Sequence, residues 1–412
     1  MGSNWGVLVA SDYQVKIAAL PVRCIKDQTP AKKKISSTLA QIGREHNSAK
    51  STITIAQLKA ITPALENIND KYESNYQHYI VSTSTHFSSP ATREEVQSMI
   101  DAVNLNPAYK LSSYDTDGKA YSITLSSDGT KAYIADYTNG LVIVDISDPA
   151  HPTKLGLYNT TSKSLGVVLS SDGTKAYIAN YMNGLVIVDI SDPTHPTKLG
   201  SYETAGLSYG VALSSDGTKA YVADAYEGLV IVDISDPTHP IKLGSYDTAG
   251  LAEGVTLSSD GAKAYIADYY NGLVIIDISD PHNPTKLGSY DTAGYLQGVT
   301  LSSDDTKAYV ADDENGLAIV NISNPYNPTY LGSFNIDRYT KSVTLSNDGT
   351  KAYVADGAHG LVIVDISNST HPTKLSSYDT AGFARYVTLS SDGTKAYVAD
   401  GSDGLVIVGG IE

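Results

Sequence analysis

The chain has 412 residues, of which 41% are hydrophobic and 18% charged, with a formal net charge of −16. It is too apolar for a disordered chain, and runs such as Leu141-Val142-Ile143-Val144 are far shorter than the ~20 residues a membrane helix needs, so neither disorder nor membrane insertion is expected. The single cysteine, Cys24, excludes an internal disulfide framework and a zinc–cysteine cluster, and the acidic balance argues against a nucleic-acid partner, which wants a basic face.

In chain order, residues 1–29 alternate like a strand at Gln14–Ala18 and read as a β-like tail. The opening Met-Gly-Ser has no basic segment and only a short apolar run, so it does not read as a signal peptide. The close of this stretch, Val22-Arg23-Cys24-Ile25-Lys26-Asp27, resembles the end of a β-rich domain of Fibrobacter-type surface proteins, which implies a longer protein continuing before it. Residues 30–53 are polar, contain Lys32-Lys33-Lys34 and read as a linker. Residues 54–105 read as a small helical module. Thr54 and Gln57 have capping-box spacing. Pro63 is expected near the start of a helix with Leu65, Ile68, Tyr72, Tyr76, Tyr79 and Ile80 on one stripe. Ser89-Pro90-Ala91-Thr92 with Glu95 opens another, with Val96, Met99, Ile100 and Val103 on one face. Charge changes at this boundary, from a net +2 over residues 1–108 to −18 over the rest.

Residues 106–412 are repetitive. The glycine of Gly-Leu-Val-Ile-Val recurs at Gly140, Gly184, Gly228, Gly272, Gly316, Gly360 and Gly404, a constant step of 44 residues. One copy reads as four short strands, 254–258, 263–268, 273–278 and 286–291. Turns fall at Asp260-Gly261 and Asn271-Gly272, and Pro281 and Pro284 precede the last strand. The third strand is apolar on both alternations and must be covered on both faces, which a radial array of blades supplies. The array opens on a lone fourth strand, Lys110–Asp115, and closes on a third strand, Leu405–Val408, with no fourth after it. Joining these completes the last blade and removes its open edge. The fold class is therefore mainly β: a seven-bladed β-propeller of 44-residue repeats closed by its N-terminal strand, plus the small α-helical N-terminal module.

Leu-Val-Ile-Val-Asp stands intact at 141–145, 185–189, 229–233 and 361–365, and departs at Ile276, Ala318, Asn321 and Gly409. These units resemble the LVIVD repeat of bacterial and archaeal surface proteins. That resemblance implies a propeller and an extracellular or cell-surface location, and implies no established reaction. Trp5, the only tryptophan, lies outside the array, so tryptophan-aspartate repeats are the more distant likeness.

Positions constant in all seven copies are architectural, and positions that vary are free or specialised. The Ser-Asp-Gly-Thr-Lys turns and the Asp-Pro-Thr-His-Pro connections hardly change and belong to one propeller face; the two variable loops belong to the other. Just before the first strand stand Tyr121, Leu165, Tyr209, Glu253, Gln297, Lys341 and Arg385, and two residues earlier Lys119, Lys163, Leu207, Leu251, Tyr295, Tyr339 and Phe383. The other loop holds Tyr137, Tyr181, Met182, Tyr226, Tyr269, Tyr270, Glu314 and His359. Aromatic and cationic residues gather in the last three copies. Tyrosine offers large contact area with a polar tip, which suits a protein or carbohydrate partner at the cell surface. The candidate ligand-binding residues are Tyr121, Tyr209, Glu253, Gln297, Tyr295, Tyr339, Lys341, Phe383 and Arg385.

Signals for chemistry are weak. His151, His195, His239 and His371 share a phase with Asn283 and Asn327, which fits a hydrogen-bonded turn rather than a metal site. Asp136, Asn180, Asp224, Asp268, Asp312, Asp356 and Asp400 could ring the variable face, which leaves calcium open as a cofactor, although calcium needs ~6–8 oxygens gathered in one place. No nucleophile elbow, phosphate loop or dinucleotide fingerprint occurs. The expected function is a non-catalytic surface or secreted binding or adhesion module. Two alternatives stand beside it: a self-associating subunit of a surface layer or filament that adds its tail as a strand to a neighbour, and a propeller hydrolase or lyase with a channel-mouth site.

Overall fold

In the computed structural model, residues 30–45, 50–61, 63–81, 87–336 and 339–411 are described. The β-like tail expected at 1–29 lies outside them. The chain divides into two compact units, one running to Leu105 and one beginning at Asn106.

The first unit is helical. Residues 30–45, expected as linker, instead form helix α1 (Pro30–Glu45). Pro30 suits the first helical position, alanine, lysine, leucine and glutamine favour helix, and Ile42 is buried with Leu39 beside it. The triple lysine suggested a solvated linker, but lysine is also a good helix former. Helix α2 (Ile55–Lys59) starts with the expected capping box, Thr54 and Gln57 bonding each other reciprocally. The helix expected from Pro63 begins later, as a short 3₁₀ turn at Asp70–Tyr72 running into α3 (Glu73–Val81). The Asn69 side chain caps it by accepting from the Lys71 N–H at 3.1 Å, and Asn67 just before takes φ 56°, a conformation asparagine tolerates and a helix does not. Helix α4 (Arg93–Leu105) buries Val96, Met99, Ile100 and Val103 as expected. Its capping box pairs the Glu95 N–H with the Thr92 hydroxyl at 3.1 Å and the Thr92 N–H with the Glu95 carboxylate at 2.6 Å.

The second unit is a propeller of seven four-stranded antiparallel sheets. Blade 4 is typical, with strands Ala252–Leu257, Lys263–Asp268, Gly272–Asp277 and Thr285–Tyr290 from the axis outward. First strands of successive blades touch one another around the axis, and blade 7 meets blade 1, so the ring is closed. The seventh sheet takes its outer strand from the other end of the unit: Tyr109–Tyr114 pairs with Leu405–Gly409. The seam copies the repeat in detail. Other outer strands shift register by one residue beside the third strand, as between Ile275 and Ile276 opposite Lys286 and Gly288, and the sealing strand does so between Lys110 and Ser112. The extra residue, Leu287 or Leu111, packs against an inter-blade core.

Those cores explain the doubly apolar third strand. In blade 1, Val142 and Val144 pack with Tyr397, Leu405 and Ile407 of blade 7, while Leu141 and Ile143 pack with Val167, Ile178 and Val186 of blade 2. Alternate side chains thus serve opposite neighbours, and all four are buried. At ~25 cal/mol per Å² of apolar surface, this repeated burial is the main force holding blade to blade.

The turn expected at Asp260-Gly261 is a four-residue loop, residues 259–262, between its two strands. Ser258 N–H donates to the Lys263 carbonyl at 2.9 Å, and Gly261, at φ +67°, closes back on the Ser258 carbonyl at 2.9 Å. Asp260 accepts from the Ser258 hydroxyl, from Ala262 N–H at 2.9 Å and from Lys263 Nζ at 3.0 Å, which hold its carboxyl down at about 2.

Candidate binding site at the channel mouth

The seven inner strands enclose a channel of about 890 Å³. They close tightly because glycine stands where a side chain would collide: a Cβ on Gly210 would come within 2.8 Å of the Glu253 carbonyl oxygen of the next blade. The same repeat phase holds Ser122, Gly166, Gly254, Gly298 and Ser342, but Tyr386 in blade 7. Tyr386 lines the channel, and the enclosing blades push its phenol above the ordinary range. Hydroxyls of Ser122, Thr256, Thr300, Ser342 and Thr344 stand among the lining residues.

Of the nine predicted site residues, six line this channel: Tyr121, Tyr209, Glu253, Gln297, Lys341 and Arg385. The other three stand a step outward on the same rim. Tyr295 stacks on Tyr269 at 4.6 Å between ring centroids, and Tyr339 and Phe383 meet at 5.8 Å. The aromatic and cationic residues form one continuous arc. Lys341 lies 5.8 Å from the rings of both Tyr339 and Phe383. The Arg385 guanidinium sits 4.9 Å from Phe383 and 4.0 Å from Tyr121, which stacks on Tyr137 at 5.0 Å. Lys163 bridges Tyr137 and Tyr181 at 5.0 and 4.7 Å, and Tyr181 meets Tyr209 edge-on at 5.8 Å. The arc therefore crosses blades 6, 7, 1, 2 and 3. The expected gathering in the last three copies is corrected to this extent: the ring seam places blade 1 beside blade 7, so residues far apart in sequence join it. Tyr269, Tyr270 and Tyr295 form a second aromatic group on blades 4 and 5.

The arc is held by unusual backbone. Tyr137 and Tyr181 take φ of 50° and 45°, where blades 6 and 7 carry Gly357 and Gly401. Tyrosine is strained there, and paired backbone bonds between Tyr137 and Ser164, at 3.1 and 2.9 Å, hold it in place. Strain of this kind clusters at working surfaces.

Opposite the arc, burial pushes the Glu253 carboxyl up to about 7, with Lys341 opposing the rise and Asp313 adding to it. Lys341 is paired to Asp313 at 3.0 Å, both largely shielded. Burial also raises the phenols of Tyr121 and Tyr209. Asp313, Tyr386 and the channel hydroxyls of Ser122, Thr256, Thr300, Ser342 and Thr344 escaped the sequence reading. Tyr386 was legible only as the one tyrosine in a phase of glycine and serine, and Asp313 only as the one acid in a phase that varies from blade to blade.

The ring of carboxylates lies behind the rim and is buried. Each carboxylate for which partners are seen pins a loop or turn of the same face. Asp224 accepts from Thr204 Oγ1 at 2.7 Å, Gly206 N–H at 2.9 Å and Ser208 Oγ at 2.8 Å. Asp136 accepts from Thr116 Oγ1 at 2.6 Å and Asn139 Nδ2 at 3.0 Å. Burial raises Asp136 and Asp400 to about 6. Among the described residues, no three His, Cys, Asp or Glu side chains come together as a metal-holding group. The phased histidines are turn residues: His151 and His195 face Asp148 and Asp192 at 2.9 and 3.0 Å, and Asn283 makes the equivalent bond to Asp280 at 2.8 Å.

The LVIVD repeat family matches at residues 117–160, 170–204, 206–248, 249–292, 293–336, 337–380 and 381–409. The chain belongs to the LVIVD-repeat family. No curated protein matches its sequence. The propeller is similar in fold to hydrazine synthase of Kuenenia stuttgartiensis, at 17% identity and a TM-score of 0.59 over 71% of this chain and 96% of that one. It is also similar to the periplasmic gluconolactonase of Pseudomonas aeruginosa, at 14% identity and a TM-score of 0.55 over 64% and 88% of the two chains. A putative 6-phosphogluconolactonase of Bacteroides fragilis, at 14% identity, gives a TM-score of 0.57 over 67% and 89%. At these identities the likeness is one of fold.

Proposed function

We propose that this LVIVD-repeat protein is a non-catalytic binding module that engages a protein or carbohydrate outside the cell through the mouth of its channel. The observation that carries this reading is the continuous aromatic–cation arc on one face of a rigid ring. Aromatic and arginine side chains dominate binding hot spots. The opposite face repeats one turn seven times and offers no such variation. The test is retention on an array of glycans and cell-surface proteins, comparing wild type with the Tyr339→Ala/Arg385→Ala double variant. Tyr339 is 45% exposed, and neither residue contributes to an inter-blade core, so the variant keeps its melting temperature and loses binding. Binding that survives the double change overturns the reading.

One feature favours the hydrolytic alternative: Glu253, held near pH 7 at the channel mouth, titrates where general acid–base work is done. Turnover of a lactone that is lost in Glu253→Gln would favour it over pure binding.

A further inference from the structure

We propose that the ligand of this mouth is an anionic saccharide, its acid groups seated on Lys163 and Arg385 and its sugar faces on the exposed rim tyrosines Tyr339 and Tyr270. The inference rests on the binding reading above and names the class of ligand.

The first observation is a contrast in how cations are satisfied. On five of the seven conserved turns a lysine stands beside a carboxylate, as where Lys175, Lys219 and Lys263 reach Asp172, Asp216 and Asp260 at 3.5, 3.7 and 3.0 Å. On the arc, Lys119, Lys163 and Arg385 have no carboxylate partner among the described residues; they lie against ring faces instead. Lysines of the outer strands such as Lys154, Lys198 and Lys242 also lack a carboxylate partner among the described residues, so what is particular to the rim is that its cations are gathered at one mouth and held against aromatic rings. The second observation is Arg385 Nε, which is closed off from solvent and meets no acceptor. A buried donor left unmet is costly, and an oxygen reaches it only if the packed rings part, whereas the outer guanidinium N–H groups make no hydrogen bond among the described residues and are open to a carboxylate or sulfate. The third is the channel below the rim, lined by Ser122, Thr256, Thr300, Ser342, Thr344 and Tyr386. A hydroxyl-rich wall under a rim of flat rings matches a polyhydroxylated ligand whose sugar faces stack on the rings.

The experiment is titration calorimetry at low and high salt. The probes are an oligogalacturonate, its methyl-esterified counterpart, a sulfated galactan oligomer and an oligoglutamate peptide. Wild type is compared with Lys163→Gln/Arg385→Gln, with Lys131→Gln on the opposite face, and with Tyr339→Ala. The carboxylated or the sulfated saccharide is expected to bind, which also tells those two sources apart. Esterification or the Lys163→Gln/Arg385→Gln change is expected to weaken binding by about tenfold or more, as loss of charge-assisted bonds does. Salt weakens it too, and Lys131→Gln leaves it unchanged. If the esterified oligomer binds equally well, in a manner lost in Tyr339→Ala but not in the charge variant, the mouth is a binding site and the anionic inference is wrong. Preference for oligoglutamate overturns the saccharide. No binding to any probe overturns the inference, while the glycan and protein array still decides the broader reading.

Discussion

A single repeat position shows how one residue type is dictated by geometry. Gly272 has φ +71°, and its six counterparts also lie in the left-handed region. A Cβ there would press on the Tyr290 carbonyl oxygen of the same blade's outer strand. The tight Asn-Gly turn and the close return of the outer strand therefore both require glycine. Gly272→Val is expected to destabilise by about 1–3 kcal/mol, since a β-branched residue is strained in that conformation. Denaturant unfolding measures it, and an unchanged midpoint would contradict the steric account. This requirement was readable from the invariance of the glycine. The strain at Tyr137 and Tyr181 was not, because a tyrosine in the left-handed region looks like any other tyrosine in sequence.

At the scale of one strand, the seal between the ends of the array decides whether the ring is closed. Tyr109–Tyr114 supplies the ladder for Leu405–Gly409, places Leu111 and Tyr114 beside the core between blades 7 and 1, and leads into Thr116, which bonds Asp136. Deleting residues 110–116 exposes a strand edge and strips that core. The expected result is a melting temperature lower by roughly 10 °C, or loss of solubility through edge-to-edge association. Thermal melts and size-exclusion chromatography read it, and an unchanged melt would sink the sealing role. The repeat phase alone made this strand legible, because the opening segment matches a fourth strand and the array lacks one at its end. The helical segments were less legible. Thr54, Gln57, Thr92 and Glu95 announced their caps, whereas α1 hid under a lysine run and the start of α3 was set by the Asn67–Asn69 backbone rather than by Pro63.

At the scale of the whole molecule, buried carboxylates tie stability to pH. Asp136 and Asp400 titrate at about 6 when folded against an ordinary 3.8, and Glu253 at about 7 against 4.5. The folded state binds protons more tightly at these sites. Their favourable contribution is full below the ordinary values and is lost as pH rises through about 6 and 7. The melting temperature is expected to rise as pH falls from 8 to 5, and an Asp136→Asn/Asp400→Asn variant should flatten that slope. Blade 2 already carries Asn180 at this position, so an amide can occupy it. An unchanged slope in the variant would assign the effect to Glu253 or to the overall negative charge instead. The sequence by itself determined the number of blades, the order of strands, the seam and the face that varies, because each follows from a 44-residue pattern whose hydrogen bonds and cores lie within a blade or between neighbours. Only the tertiary structure decided which side chains meet at the mouth. Arg385 reaches Tyr121 across the seam, Lys163 bridges two blades, and Lys341 finds Asp313 while Lys163 finds no acid. Whether a cation meets a carboxylate or a ring depends on distances of a few ångströms between residues 18 to 264 positions apart, and those distances exist only once the blades have packed and the ring has closed.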